Sequence, residues 1–329
     1  MSEHKKIVLS GVRPTGPQHL GNFVGALRNW KKLQDIYRCF YFIADWHALS
    51  SEYMNSKVIK ENTFEVALDW LGVGLDPEKC VMFIQSEVIE HAELHLILSM
   101  VTPLPWLERV PTYKEMQQEL QDKDLNTYGF LGYPVLQAAD IIIYKADFVP
   151  VGEDQAAHLE LTREIVRRFN RFFGPVFPEP QTLLTEVPRL AGTDGRKMSK
   201  SFGNSILIKD PPKVIREKVM PMVTDTRRMR RSDPGEPNDC PVFTLHRAFV
   251  PKDKQDEAAA GCRTAGIGCR ECKAMMLDYL IQTLEPIQEH RSAFEKRPDE
   301  VRAILEEGGR KARRAAQKTM EEVRAALGF

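Results

Sequence analysis

Strands are predicted over Lys6–Leu9, Phe40–Ala44 (FYFIA) and Val81–Ile84, where apolar residues run on without alternating with polar ones. A strand with one wet face alternates. A continuous run belongs to a strand covered on both faces, as in a parallel sheet between two helical layers. The intervening segments carry a helical period. Leu20, Phe23, Val24 and Leu27 fall at i, i+3, i+4 and i+7, and Phe64, Ala67, Leu68 and Leu71 repeat the pattern. Strand–helix–strand alternation predicts an α/β, doubly wound parallel sheet.

The alternation stops near residue 205. Beyond it charge density rises, strand patterns fade, and helices joined by Pro- and Gly-containing loops take over. A chain of 329 residues suits two domains, read here as 1–205 and a helical 206–329. The last segment sets Ala312, Ala316, Met320, Val323 and Leu327 on one face and stops at Gly328. That apolar stripe is expected to pack back on the first domain.

Lys+Arg and Asp+Glu are equal at 46 each, so no global charge attracts nucleic acid, and any RNA contact needs a local basic patch. The first apolar run, Ile7–Leu9, is too short for a signal peptide, and no run is long enough to span a membrane. A cytoplasmic protein is expected. There, clustered cysteines point to metal more than to disulfides.

Two loops carry the chemistry. SGVRPTGPQHLGN (Ser10–Asn22) leads from the first strand into the first helix, where an open α/β sheet binds ligands. Gly16 and Gly21 permit close backbone approach, and the helix start favours an anion. His19 and Asn22 share one face of its first turn. GTDGRKMSKSFGN (Gly192–Asn204) sets Lys197 and Lys200 around Met198 and Ser199. Two lysines on such a loop can grip a polyphosphate and stabilise charge on a leaving group. Read alone, the first is a glycine turn with a surface histidine and the second a solvated charged linker.

In GYPVLQAADIIIYKADFVPVGEDQAAHLELTR (Gly132–Arg163), Pro134 suits a first helical turn. Tyr133, Gln137 and Asp140 then stand at i, i+4 and i+7 on one side. A carboxylate on an otherwise apolar face needs a donor. The indole N–H or phenol O–H of an aromatic amino acid would supply one.

HLGN resembles the first signature of class I aminoacyl-tRNA synthetases, usually His-x-Gly-His, with Asn22 in place of the second histidine. KMSKS (Lys197–Ser201) matches the second signature in full. SGVRPTG, ADWHA (Ala44–Ala48), YPVLQAAD and VPVGEDQ are similar to blocks of the bacterial tryptophanyl-tRNA synthetases, over nearly the whole chain. The resemblance implies a Rossmann-like catalytic domain and a C-terminal helical domain that reads the anticodon. It implies activation of tryptophan by ATP with Mg²⁺, transfer to tRNA(Trp), and a homodimer. By the same resemblance Asp140 accepts the indole N–H. Tyr133 and Gln155 hold the α-amino group, with His47 and Gln137 lining that pocket. Arg13, Pro14, Thr15, Gly21, Asn22, Gly152, Glu153, Asp154 and Leu190 contact ATP together with Met198, Ser199 and Ser201. Lys197 and Lys200 clamp its phosphates, and His19 and Asn22 complete the catalytic set. Gln137 stands where many of these enzymes have methionine. Tyr-x-x-x-Gln-x-x-Asp is also similar to tyrosyl-tRNA synthetases, so tyrosine stays open, as does a non-charging RNA-binding paralogue.

Four of the six cysteines cluster as Cys240-x21-Cys262-x6-Cys269-x2-Cys272. A two-residue gap suits paired thiolate ligands. Gly266 and Gly268 would leave backbone N–H groups free to approach the sulfurs. Four thiolates suit Zn²⁺ or a [4Fe–4S] cluster. A subgroup of the bacterial tryptophan enzymes carries such a cluster on a similar pattern, which places iron–sulfur ahead of zinc. In TRRMRRSDPG (Thr226–Gly235) four arginines either meet tRNA phosphates or form a solvated face. His91 and His95 are read as members of an ordinary amphipathic helix.

Overall fold

The computed structural model describes residues 5–110, 125–152, 156–184 and 189–329. Five strands, β1 (Ile7–Val12), β2 (Arg38–Ile43), β3 (Cys80–Ile84), β4 (Phe148–Val151) and β5 (Gln181–Leu184), form one sheet in the order β3-β2-β1-β4-β5. Every pairing is parallel. Cys39 to Ile43 of β2 are all buried, and Tyr41 stacks on Trp30 with ring centroids 4.5 Å apart. This is the burial on both faces that an unbroken apolar run demands.

β1 lies between β2 and β4. The chain therefore leaves β1 toward one side of the sheet and returns on the other, which opens a crevice at the strands' carboxyl ends. β4 and β5 had no clear pattern of their own: each has four residues, and β4 holds Pro150, a residue that argues against a central strand.

The helices flanking the sheet begin with the turn α1 (Leu20–Asn22), which widens into a π-helical stretch over Phe23–Leu27 before α2 (Arg28–Ile36). Then come α3 (Asp45–Glu52), α4 (Lys57–Val73), α5 (Glu90–Val101) and α6 (Leu104–Glu108). After them lie α7 (Tyr128–Ile143) and α8 (Ala156–Phe173). From residue 206 the described elements are helical: α9 (Pro212–Val219), α10 (Pro241–Phe249), α11 (Lys252–Arg263), α12 (Cys269–Glu295) and α13 (Pro298–Leu327).

Pro134 departs from its expected place. Thr127 caps α7 by accepting the Phe130 N–H at 3.2 Å, so the helix begins at Tyr128 and Pro134 sits in its interior. A proline there adds no N–H to the helical ladder.

Ala312, Ala316, Met320 and Val323 of α13 are fully buried in the core that covers one face of the sheet. At Gly308 this helix lies so close to β3 that an added Cβ would stand 1.7 Å from the Met82 carbonyl oxygen. Arg313–Glu90 (2.9 Å) and Arg324–Glu93 (2.6 Å) tie it to α5. The opposite face holds a second core, in which α12 packs on α4.

Candidate active site

The crevice holds a cavity of about 470 Å³. Ser10 and Gly11 of β1, Arg13 beyond it, and Gly21 and Asn22 of α1 line one end. Val151 and Gly152 close β4's side, with His47, Tyr133, Gln137 and Asp140 deeper in. Tyr133, Gln137 and Asp140 all face it, as their spacing on one helix requires.

The α1 turn closes on itself. His19 Nδ1 accepts the Asn22 N–H at 3.2 Å while Asn22 Oδ1 accepts the His19 N–H at 3.1 Å, a reciprocal cap that satisfies two donors otherwise orphaned at a helix start. A Cβ on Gly21 would meet His19 Cε1 at 2.8 Å, so a glycine is needed there. Burial, then the charges of Lys200 and Lys197, pushes His19 down to about 4. The ring is neutral near pH 7, with Nδ1 as acceptor and the proton on Nε2.

The lysine loop lies against this turn. Leu20 N–H donates to Ile206 O and Ile208 N–H to Gln18 O, both at 2.9 Å. Asn204 holds the loop: its Oδ1 accepts the Ser199 N–H (2.9 Å), and its Nδ2 donates to Asp194 (2.7 Å) and Lys197 O (3.1 Å). Lys200 reaches across to donate to Gly16 O at 2.9 Å. Burial lowers its pKa to about 8, with Asp69 acting against the shift and Arg13 adding to it. Lys197 and Ser201 are exposed. The side chains of Leu190 and Met198 are core, leaving only their backbones to meet a ligand. Glu153, Asp154 and Gln155 lie outside the described residues.

Asp140 is fully buried, yet its face is not otherwise apolar. Gln85 Nε2 donates to both its oxygens (2.8 and 2.9 Å), His91 Nδ1 lies 2.6 Å from Oδ1, and His47 Nε2 lies 2.8 Å from Oδ2. The protein itself supplies donors to this carboxylate, which corrects the expectation that its surroundings are otherwise apolar. A carboxylate only accepts, so His91 donates from Nδ1 and its Nε2 accepts the Tyr144 hydroxyl at 2.7 Å. Burial opposes charge on Asp140, but His47 and His91 outweigh it and hold the carboxyl below its usual range. His91 is thus part of the site rather than an idle helical residue. Neither it nor Gln85 was found from sequence, because both lie about fifty residues from Asp140 in elements with no motif.

The four clustered cysteines line a second cavity, of about 20 Å³. Cys240 precedes α10, Cys262 ends α11, and Cys269 and Cys272 open α12. Among the described residues, no group of three His, Cys, Asp or Glu is arranged to hold a metal ion. Buried Arg228 donates to Ile267 O (2.7 Å) and Arg231 O (2.9 Å), and its Nη1 lies 3.8 Å from Cys262 Sγ. His246 Nε2 lies 3.1 Å from Cys272 Sγ. The Gly268 N–H is not free for sulfur, since it donates to Glu271 at 2.8 Å. Of the arginine run, Arg228 serves the interior, while Arg227 pairs with Asp225 and Asp239 and Arg231 with Glu271.

A parallel sheet with a His-x-Gly-Asn turn at its switch point, covered by a lysine loop, defines a class I aminoacyl-tRNA synthetase. Residues 1–285 match the family described as tRNA synthetases class I (W and Y). The chain is 53% identical to the tryptophan–tRNA ligase of Thermotoga maritima, over 97% of this chain and 98% of that protein. It is 45% identical to that of Aquifex aeolicus, with 97% and 99% covered. Tryptophanyl-tRNA synthetase from Campylobacter jejuni, solved with ADP and tryptophan, superposes with a TM-score of 0.86 at 33% identity, covering 98% of this chain and 100% of that one. The chain belongs to the tryptophan–tRNA ligases, which are ATP-dependent aminoacyl-tRNA ligases. An archaeal tyrosyl-tRNA synthetase, at 22% identity and a TM-score of 0.67, shares the fold alone.

Proposed function

We propose that the chain activates L-tryptophan in the 470 Å³ crevice and passes it to tRNA(Trp). The tryptophan carboxylate attacks the α-phosphorus of ATP, the bond to the bridging oxygen breaks, and pyrophosphate leaves. The tRNA's terminal hydroxyl then displaces AMP. The nucleophile is already ionised, so orientation and positive charge carry the first step. Lys200 and Lys197 face the phosphates. The His19–Asn22 turn, Gly21, Arg13–Thr15, Gly152–Asp154, Leu190, Met198, Ser199 and Ser201 bind the nucleotide, which enters with Mg²⁺. Tyr133, Gln137, Gln155 and His47 surround the amino acid.

The observation that carries this reading is the convergence of Asp140 on the cavity while held ionised. Its His47 bond lies on the open side: the His47 side chain is 10% exposed and the Asp140 and His91 side chains 0%. The indole N–H takes that place on Asp140. Single-turnover adenylate formation tests the division of labour. Lys200→Ala should slow the chemical step far more than it weakens tryptophan binding, and equal losses in both would count against a transition-state role.

The same reading assigns residues 1–205 to catalysis and 206–329 to tRNA. Cys240, Cys262, Cys269 and Cys272 hold a [4Fe–4S] cluster. Around one zinc ion, ligands about 2.3 Å from the metal bring sulfurs to within about 4 Å of one another. The four thiols line one cavity, and Arg228 beside Cys262 would offset the negative charge of thiolate ligands. The cluster's work is to pin α10, α11 and α12 together. Iron, sulfide and zinc analysis of anaerobically purified protein decides between them. A homodimer in the cytoplasm completes the reading. Leu96 and Met100, one turn apart on α5, are 56% and 75% exposed, an apolar stripe that suits a partner subunit.

A further inference from the structure

The turn that caps α1 is held from behind by a buried ion pair. Asp69, about one turn before the end of α4, is fully buried. Its Oδ2 accepts the Gln18 N–H at 2.7 Å, one residue before His19. Its Oδ1 accepts from Arg291 Nε of α12 at 2.8 Å. Arg291 is itself 4% exposed and also donates to Glu65 and Glu295. Lys209 joins the same Glu65 at 2.9 Å. The two helices meet here at close range: a Cβ on Gly72 would stand 2.9 Å from Arg291 Cβ.

A second grip comes from one turn earlier on α12. Gln288 Nε2 donates to both Ile208 O and Asp210 O at 2.8 Å. That is the segment whose backbone pairs with Gln18 and Leu20 on either side of His19. The turn is therefore held on two sides, by Asp69 and by the segment through Ile208, and side chains of α12 support both. The charge of Asp69 also acts on Lys200, against the lowering that burial imposes.

A carboxylate buried at an ion pair costs more in desolvation than it returns unless every lone pair finds a donor. Here one of the donors is a backbone amide of the nucleotide turn. We propose that Asp69 and Arg291 are positioning residues for the ATP-binding turn, through which α12 of the helical region fixes the placement of His19. The proposal rests on the reading of that turn as the ATP site.

The test is tryptophan-dependent pyrophosphate exchange by the full-length enzyme, with KM for ATP and for tryptophan measured separately. Losing one charge-assisted hydrogen bond to the turn predicts a KM for ATP raised about tenfold or more in Asp69→Asn and Arg291→Gln. KM for tryptophan should stay within about twofold, because no tryptophan-pocket residue touches the pair. Arg291→Lys keeps the charge and should recover part of the loss. The double variant should be no worse than the poorer single, since both act on one contact. If Asp69→Asn does not fold, Arg291→Lys and Gln288→Ala carry the same comparison. Equal rises in both constants, or no rise for ATP in any folded variant, would overturn the proposal. Absence of exchange in the unmodified enzyme would instead remove the functional reading beneath it.

Discussion

His91 and Asp140 meet with Nδ1 and Oδ1 2.6 Å apart and with neither side chain exposed. The bond fixes the imidazole's tautomer and leaves Tyr144 to donate to the far nitrogen. A chain of three buried groups thus orients a carboxylate that lines the crevice, at the proposed amino-acid pocket. Asp140→Asn keeps the shape but loses the ionised acceptor and turns two histidine donors against an amide. KM for tryptophan should rise by roughly 10–100-fold, with KM for ATP nearly unchanged. Steady-state exchange kinetics check it, and a matching rise for ATP would place Asp140 outside the amino-acid pocket.

With Lys200 at the proposed ATP site, that site should be sensitive to alkali. Its pKa is lowered to about 8, first by burial. The ammonium is present below that pH and is lost as pH rises through it, so attraction for the phosphates weakens above about 8. ATP affinity should fall between pH 8 and 9.5 in the unmodified enzyme and stay level in Lys200→Arg, whose charge does not titrate there. Fluorescence titration with ATP at fixed ionic strength distinguishes the two.

Gly308→Ala tests the packing of α13 against the sheet. The new methyl would lie 1.7 Å from a backbone oxygen of β3, and neither partner is a flexible side-chain end. Overpacking of this kind costs about 1–3 kcal/mol or more. Denaturant unfolding should show that loss, whereas Gly129→Ala, with no atom within 4 Å of the added Cβ, should cost nothing of the kind.

The cysteine cavity is remote in sequence from both signature loops. If the four cysteines hold the proposed cluster, Cys269→Ser should abolish bound iron and lower the stability of the helical region, while tryptophan-dependent exchange keeps most of its rate. Iron content and exchange rate on the same sample decide it. Iron retained in full would remove Cys269 from the ligand set.

The central strands were legible because burial on both faces leaves an unbroken apolar run, as in FYFIA. β4 was not, since Pro150 and only four residues erase the pattern, and its pairing to β1 supplies the stability that propensity does not. The start of α7 was misplaced because Thr127, an ordinary capping residue, outcompeted Pro134 as the apparent beginning. Around the crevice, His19, Asn22, Tyr133, Asp140 and Lys200 stand inside motifs and could be named from the sequence as candidates. Those reached through the fold could not. Gln85, His91, Asn204, Asp69 and Arg291 act through contacts between distant segments, which no local pattern records.

Whether the crevice at the end of β1 activates tryptophan is the central question. Pyrophosphate exchange by the purified enzyme, with tryptophan and tyrosine run in parallel, tests it most directly. Exchange with tryptophan that Asp140→Asn impairs is expected, and none above background with tyrosine. Exchange with tyrosine at a comparable rate, or with neither amino acid, would contradict the proposed function.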